Sequence, residues 1–355
     1  MGKKQLSTFK IAAVYIGTVV GAGFATGQEV LQFFTSFGLG GIWGILLSTA
    51  LFMLFGVIIM ELGRSLNATS HLEIVQASGG KLFASAMDIL ILVFLFASLT
   101  AMLAGTGAMF QEQLGLTGLL GNVVMAILTA MTVLTGVGGV LSAISAIVPF
   151  LLASVVGISL YTITQTPPDL TAVITNSGNP LLLSWPTAAI LYASYNIIMS
   201  ISVLGPLGAA SEKKTVLRGG MLGGLGLGLA ALMIDLALSG NVLEARSLEI
   251  PMSLLAARIS PLVRLLYSLV LIAEIYTTAV GALFGISARL TGFSKKRAPV
   301  LVIGVTVPAF FASLPGFSNL VKYLYPLQGY AGIVLLAALA YGYLRARRRT
   351  IIAVS

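Results

Sequence analysis

Tyr15-Ile-Gly-Thr-Val-Val-Gly-Ala-Gly-Phe-Ala-Thr-Gly-Gln-Glu29 is the stretch on which the reading of this chain turns. It sets four glycines, a glutamine and a glutamate inside an apolar run from Lys10 to Phe37. That run is long enough to cross a bilayer, whose hydrocarbon core takes about 20 helical residues. Each glycine costs a helix interior roughly 1 kcal/mol against alanine, so Gly21, Gly23 and Gly27 invite a break in mid-span. Backbone groups freed in lipid cost several kcal/mol each unless protein or a ligand takes them up. Broken spans of this kind hold solutes and ions. The competing reading is a packing seam, because Gly17/Gly21 and Gly23/Gly27 both fit the small-xxx-small spacing that lets another helix approach closely. Gln28 and Glu29 argue for the break, since a seam has no need of a carboxylate at that depth.

The surrounding composition fixes the class. Of 355 residues, 57% are hydrophobic and 9% charged, which marks an all-α integral membrane protein rather than a soluble domain. Cysteine is absent, so disulfide frameworks and thiolate metal sites are excluded. Lys3, Lys4 and Lys10 precede an apolar run too long for a signal-peptide core, which reads as an uncleaved first helix.

Apolar runs parted by charges and turn residues give ten spans, at 10–36, 40–64, 82–111, 118–137, 140–165, 186–210, 217–239, 255–290, 298–315 and 318–345. With the N-terminus in the cytoplasm, 16 of the 20 lysines and arginines fall inside: Lys3, Lys4, Lys10, Arg64, Lys81, Lys213, Lys214, Arg218, Arg289, Lys295, Lys296, Arg297, Arg345, Arg347, Arg348 and Arg349. Only Arg246, Arg258, Arg264 and Lys322 fall outside. This asymmetry places a multi-pass protein in the cell membrane with both termini cytoplasmic. The net charge of +9 reads as topology and contact with anionic membrane lipids. Nucleic acid is excluded as a partner, because no basic patch with interleaved aromatics is present. No sequence feature sets an oligomeric state.

A turn-rich linker from Thr166 to Trp185, with Pro167, Pro168, Asn176, Gly178 and Pro180, divides the spans into halves 10–165 and 186–345 of one 1–355 transmembrane domain. Five spans per half force the halves into opposite orientations, so a repeat between them is inverted. The sixth span then mirrors the first. It carries Tyr195, Asn196, Ser200 and Ser202 at mid-depth with Gly205-Pro206 beyond, which predicts an unwound patch near 196–206; a proline kink with serines bonding back to their own helix is the alternative. In the eighth span Glu274, Thr277 and Thr278 share a face by i, i+3, i+4 spacing. A charge at the bilayer centre costs at least about 2.5–3.5 kcal/mol, so Glu274 faces protein, water or an ion. Two hydroxyls beside carbonyls suit a hard cation such as sodium.

The remaining polar features read as structural. His71, the one histidine, sits beside Glu73 in an amphipathic loop segment and reads as solvated or capping, while Glu61, Arg64, Asp88, Glu112 and Asp235 read as interfacial. Asn241 to Pro261 has the pattern of an interfacial or re-entrant lid. The glycines between Gly219 and Gly228 lack the Gly-Lys-Ser/Thr of a phosphate loop and read as close helix packing.

Ten spans in an inverted five-plus-five repeat, with a glycine-broken first span and paired hydroxyls in the eighth, resemble the LeuT fold of the amino acid–polyamine–organocation superfamily. Val20 to Glu29 resembles the YkvI-like membrane proteins. The resemblance implies helices 1 and 6 broken at mid-membrane. It implies a sodium site of Gly17 and Val20 carbonyls with Glu274, Thr277 and Thr278, where the family commonly has a small residue in place of Glu274. Backbone donors at Ala22, Gly23 and Phe24 match the place where the family holds a substrate carboxylate at a broken-helix N-terminus. The substrate set becomes Gly21, Ala22, Gly23, Phe24, Gln28, Tyr195, Asn196, Ser200 and Ser202. The implied activity is secondary transport of a small organic solute, such as an amino acid, by alternating access with inward sodium coupling. Proton coupling through Glu274, or a non-transporting membrane sensor, are the alternatives. An enzyme is not expected, since no Ser-His-Asp, His-Glu-x-x-His or paired-carboxylate constellation occurs.

Overall fold

Ser7 starts the first helix, its hydroxyl accepting the Lys10 N–H at 3.2 Å, and the helix stops where the glycines begin. A computed structural model describes residues 6–135, 138–171, 179–291 and 298–352. Lys3, Lys4, Lys295, Lys296 and Arg297 of the basic set, and Asn176 and Gly178 of the linker, lie outside the described residues. In chain order the helices are α1 (Thr8–Val19), α2 (Ala22–Ala25), α3 (Gln28–Phe33), α4 (Leu39–Leu66), α5 (His71–Leu114), α6 (Gly118–Thr135), α7 (Gly138–Gln165), α8 (Trp185–Ala209), α9 (Lys213–Ser239), α10 (Val242–Ala245), α11 (Pro251–Ile259), α12 (Pro261–Thr291), α13 (Ala298–Ser313) and α14 (Phe317–Ile352). A 3-10 turn at Thr35–Phe37 joins α3 to α4.

Eight of these helices are long and apolar enough to cross a membrane. The segmented first span α1–α3 and the shorter α13 complete the ten expected crossings. Three boundaries differ from the sequence reading. The amphipathic stretch from His71 is a helical segment of its own that joins the third span through a kink at Gly80, whose φ of 85° and ψ of 176° few side chains tolerate, so α5 comprises two helical segments. The run from 255 is cut at Ser260, which is extended, so that a short α11 precedes α12 at Pro261.

The third difference is the sixth span. The break expected near 196–206 is absent, and α8 runs unbroken from Trp185 to Ala209 with Pro206 inside its last turn. A proline there removes only the bond to the carbonyl four residues back, at the end of the helix where the backbone is least constrained. Its serines bond back as the alternative held: Ser200 Oγ donates to the Ile197 carbonyl at 3.0 Å and Ser202 Oγ to the Met199 carbonyl at 3.5 Å.

Packing centres on α4, which lies against α8 and α9, while α8 lies on α14, α12 on α5, and α1 on α9. Glycines make these approaches possible. On α9, a β-carbon at Gly219 would strike Ile11, at Gly223 Tyr15, at Gly220 Val57 and at Gly224 the backbone of Met53. Dispersion and backbone proximity hold helices in lipid, where apolar burial gives no advantage over the acyl chains.

Candidate functional site

The break falls between Val20 and Gly21. Val20 and Gly21 are both extended, and α2 restarts at Ala22. A second interruption follows at Gly27, whose φ of 82° is left-handed and caps α3. Among the described residues, no hydrogen bond takes up the carbonyls of Gly17, Thr18, Val19 and Val20, nor the N–H groups of Gly21, Ala22, Gly23 and Phe24. They include the Gly17 and Val20 carbonyls and the Ala22, Gly23 and Phe24 donors that the resemblance assigns to an ion and a solute. The far end of the segment is satisfied by protein: Thr26 Oγ1 donates to the Gly23 carbonyl at 2.9 Å, the Tyr267 hydroxyl to the Ala25 carbonyl, and the Met252 N–H to the Thr26 carbonyl at 3.0 Å. The short helix α11, in the stretch expected to form a lid, and the span α12 are thereby tied directly to the broken segment.

Glu29 lies at the centre of the arrangement, 5% exposed, on the first turn of α3. Its Oε2 accepts the Tyr195 hydroxyl at 2.5 Å. Its Oε1 sits against Gly23, in the place a β-carbon would take, and has no donor among the described residues. Beside it runs a continuous aromatic cluster: Phe33 is 5.5 Å from Tyr192 and 5.8 Å from Tyr195 between ring centroids, and Tyr195 is 5.1 Å from Tyr325. Gln28 is buried next to Glu29, with its Oε1 unpartnered among the described residues.

On α12 the structure keeps Glu274, Thr277 and Thr278 on one face. Thr277 Oγ1 donates to the Glu274 carbonyl at 3.1 Å and Thr278 Oγ1 to Glu274 Oε1 at 3.5 Å, leaving the buried Glu274 Oε2 without a partner among the described residues. Gly17, the carbonyl donor expected opposite them, has its open face against Val148 of α7. The packing of α12 on the broken segment is at α2.

Other expected residues separate from the site. Asn196 Nδ2 bonds the Tyr192 carbonyl of its own helix at 3.0 Å, and Ser202 is on the exposed face of α8. Tyr15, inside the decisive stretch, turns instead to α4 and donates to the Phe52 carbonyl at 2.8 Å. His71 is a correction: it is neither solvated nor a cap but lies 3.4 Å from Asp88, which also pairs with Arg289 of α12. Glu112 holds the approach to the lid, accepting the N–H groups of Glu249 and Ile250 at 2.6 and 3.2 Å. Burial pushes the Glu249 carboxyl in that approach above its ordinary value, opposed by the N–H of Phe317.

The sequence reading uses Glu29 to argue for the break yet leaves it out of the binding set, along with Tyr192, Phe33 and Tyr325. The available signal was a mid-membrane carboxylate with no basic residue within several turns. The rings come from three separate spans, so spacing along one helix does not reveal them.

Topology and the segmented first span define the class. The chain has the LeuT fold, an all-α multi-pass membrane fold shared with transporters. It is similar to the uncharacterized membrane protein YkvI of Bacillus subtilis (strain 168), 29% identical over 352 residues that cover 96% of this chain and 97% of YkvI. Among solved structures it resembles MhsT in complex with L-phenylalanine, with a TM-score of 0.63 and 16% identity over 89% of this chain and 82% of that one. It also resembles a Na+-coupled sialic acid symporter in a substrate-bound outward-open state, with a TM-score of 0.60 and 15% identity over 92% and 77% of the two chains. No family model matches the chain.

Proposed function

We propose that this chain is a secondary active transporter that moves a small organic solute by alternating access, coupled to inward sodium. The observation that carries the reading is the set of backbone groups at the Val20–Gly21 break that no hydrogen bond among the described residues takes up, four carbonyls and four N–H groups, those of Val19, Val20, Ala22, Gly23 and Phe24 on buried residues and those of Gly17, Thr18 and Gly21 on half-buried ones. Such groups cost several kcal/mol apiece in lipid, a cost that bound ions and solutes offset. In this reading the Gly17 and Val20 carbonyls with Glu274, Thr277 and Thr278 bind sodium, and the solute sits at Gly21 to Phe24 with Gln28 and Tyr195. The halves 10–165 and 186–345 act as opposed repeats, with both termini in the cytoplasm and the protein in the cell membrane. One charge moved through 100 mV supplies about 2.3 kcal/mol, roughly a fortyfold concentration ratio, so a single sodium drives useful accumulation.

Thermal unfolding of the purified protein in sodium against potassium or choline chloride tests the ion site. Binding to the folded state stabilises by about 2.7 kcal/mol at a hundredfold excess over Kd, so a sodium-specific rise in Tm is expected, and Thr278→Ala should remove it. The buried and unpartnered Glu274 Oε2 favours a second reading, proton coupling. Absence of any sodium effect, with a pH dependence that Glu274→Gln abolishes, would replace sodium with the proton.

A further inference from the structure

Among the described residues four carboxylates are buried; Asp88 pairs with Arg289, which leaves Glu29 at 5%, Asp235 at 1% and Glu274 at 3% exposure. Two have an internal use. Asp235 Oδ1 accepts the Thr35 hydroxyl at 2.7 Å, fixing α9 to the turn after α3, and Glu274 belongs to the hydroxyl face of α12. None has a basic partner among the described residues, where the ion pairs are Arg64 and Lys213 with Glu61, Arg258 with Glu244, and His71 and Arg289 with Asp88. A buried carboxylate without a counter-charge is costly, and it is relieved either by taking up a proton or by a cation arriving from outside the chain.

Glu29 differs from the other two in its surroundings. Its Oε1 stands at the break beside Gly23, with no donor among the described residues, and its Oε2 is held by Tyr195. Phe33, one helical turn further along α3, joins the rings of Tyr192, Tyr195 and Tyr325. A carboxylate at the rim of aromatic rings is the chemistry that recognises an ammonium group, by ion pairing on one side and by cation–π attraction on the other. The same geometry works against a carboxylate-bearing solute. An anion seated on the N–H groups of Ala22, Gly23 and Phe24 meets Glu29 Oε1 at close range, and like charges in a dry site repel strongly.

Resting on the transport reading above, we propose that the solute is an amine without a free carboxylate, its cationic nitrogen bound by Glu29 and its apolar part against Phe33, Tyr192, Tyr195 and Tyr325. The protein's own glutamate takes the place at the break that the acid group of an α-amino acid would need, so the solute class narrows from amino acids to organic cations.

The test is a charge series on the full-length protein in detergent, in sodium buffer, read as concentration-dependent shifts in Tm. The probes are phenethylamine, phenethyl alcohol, 3-phenylpropionate and L-phenylalanine, which share one ring and differ in charge. Phenethylamine is expected to stabilise the wild type with saturation, and the other three to do so at least about tenfold more weakly. Glu29→Gln should weaken phenethylamine roughly thirtyfold or more, since it leaves a buried cation unpaired, while Glu61→Gln, whose carboxylate pairs with Arg64 near the end of α4, should leave its affinity within about threefold. Because Glu29→Gln can fail to fold, the wild-type series decides by itself. Stronger stabilisation by L-phenylalanine or 3-phenylpropionate overturns the proposal. So does the absence of a shift with phenethylamine, or loss of the sodium shift rather than amine binding in Glu29→Gln, which would make Glu29 an ion ligand. Uptake of radiolabelled phenethylamine into proteoliposomes separates this inference from the transport reading: binding without gradient-driven flux defeats transport alone, and flux of a carboxylate solute without amine binding defeats the inference alone.

Discussion

The first and sixth spans carry the same suspicious residues, glycines and polar side chains at mid-membrane, and the fold treats them oppositely. The first is cut twice, at Val20–Gly21 and at Gly27. The sixth passes through as the continuous helix α8, and its glycines serve as a seam: a β-carbon at Gly208 would fall on the Met60 carbonyl of α4, and Gly63 of α4 lies against the Gly205 carbonyl. In the first span Gly17 faces Val148 and Gly27 faces Met252 and Leu238, whereas Gly21 has nothing within 4 Å of where its β-carbon would be. A glycine facing a neighbour's backbone is there for packing. A glycine facing open space beside extended backbone is there for conformation or for a ligand.

That contrast breaks first at Gly208. Gly208→Val puts two methyl groups onto a backbone carbonyl that cannot move aside, and should destabilise by about 3 kcal/mol or more in reversible unfolding. Gly21→Ala is the matched control. Gly21 is extended with φ of −124°, which alanine adopts, so its stability should stay within about 1 kcal/mol of wild type while sodium or solute binding weakens. A Gly21→Ala protein that fails to fold would show that the first span is a seam after all.

Between those extremes stands Gly27. Its left-handed φ makes Gly27→Ala cost about 1–2 kcal/mol in backbone strain, and the added methyl also presses on the Met252 side chain of the lid. The Tm should fall, and protease cleavage in the 246–251 approach to the lid should quicken as its contact with Thr26 loosens. Unchanged cleavage with a lowered Tm would confine the effect to strain in the first span and detach the lid from it.

How far the sequence led follows from the same distinction. The break in the first span was legible because three glycines and two polar residues concentrate within nine positions, and no helix propensity or packing pattern accounts for Gln28 and Glu29 together. The continuity of α8 was not, because Pro206 reads as a helix breaker until its place in the final turn is known. The pairing of Glu29 with Tyr195 spans 166 positions and depends on how α8 is rotated about its axis. That rotation is set by its contacts with α4 and α14, and apolar residues cover too much of the helix to mark one face. His71 misled for a similar reason: Asp88 is nearly five helical turns on, and only the reversal at Gly80 folds the amphipathic segment back to it.

The smallest effect is expected from Pro206→Ala. In this conformation α8 is already helical through position 206, so alanine restores an N–H for the Ser202 carbonyl and removes the ring's clash with it. The gain should be up to about 1 kcal/mol, partly offset because alanine also frees the unfolded chain. If α8 stays intact throughout the cycle, ion and solute affinity and flux should all remain near wild type in Pro206→Ala. If the sixth span unwinds in another state, the variant should bind as before but transport several-fold more slowly, because the straightened helix resists opening at 202–206. Flux in proteoliposomes against equilibrium binding of the same solute separates the two, and slowed flux would restore to the sixth span the hinge that its proline first suggested.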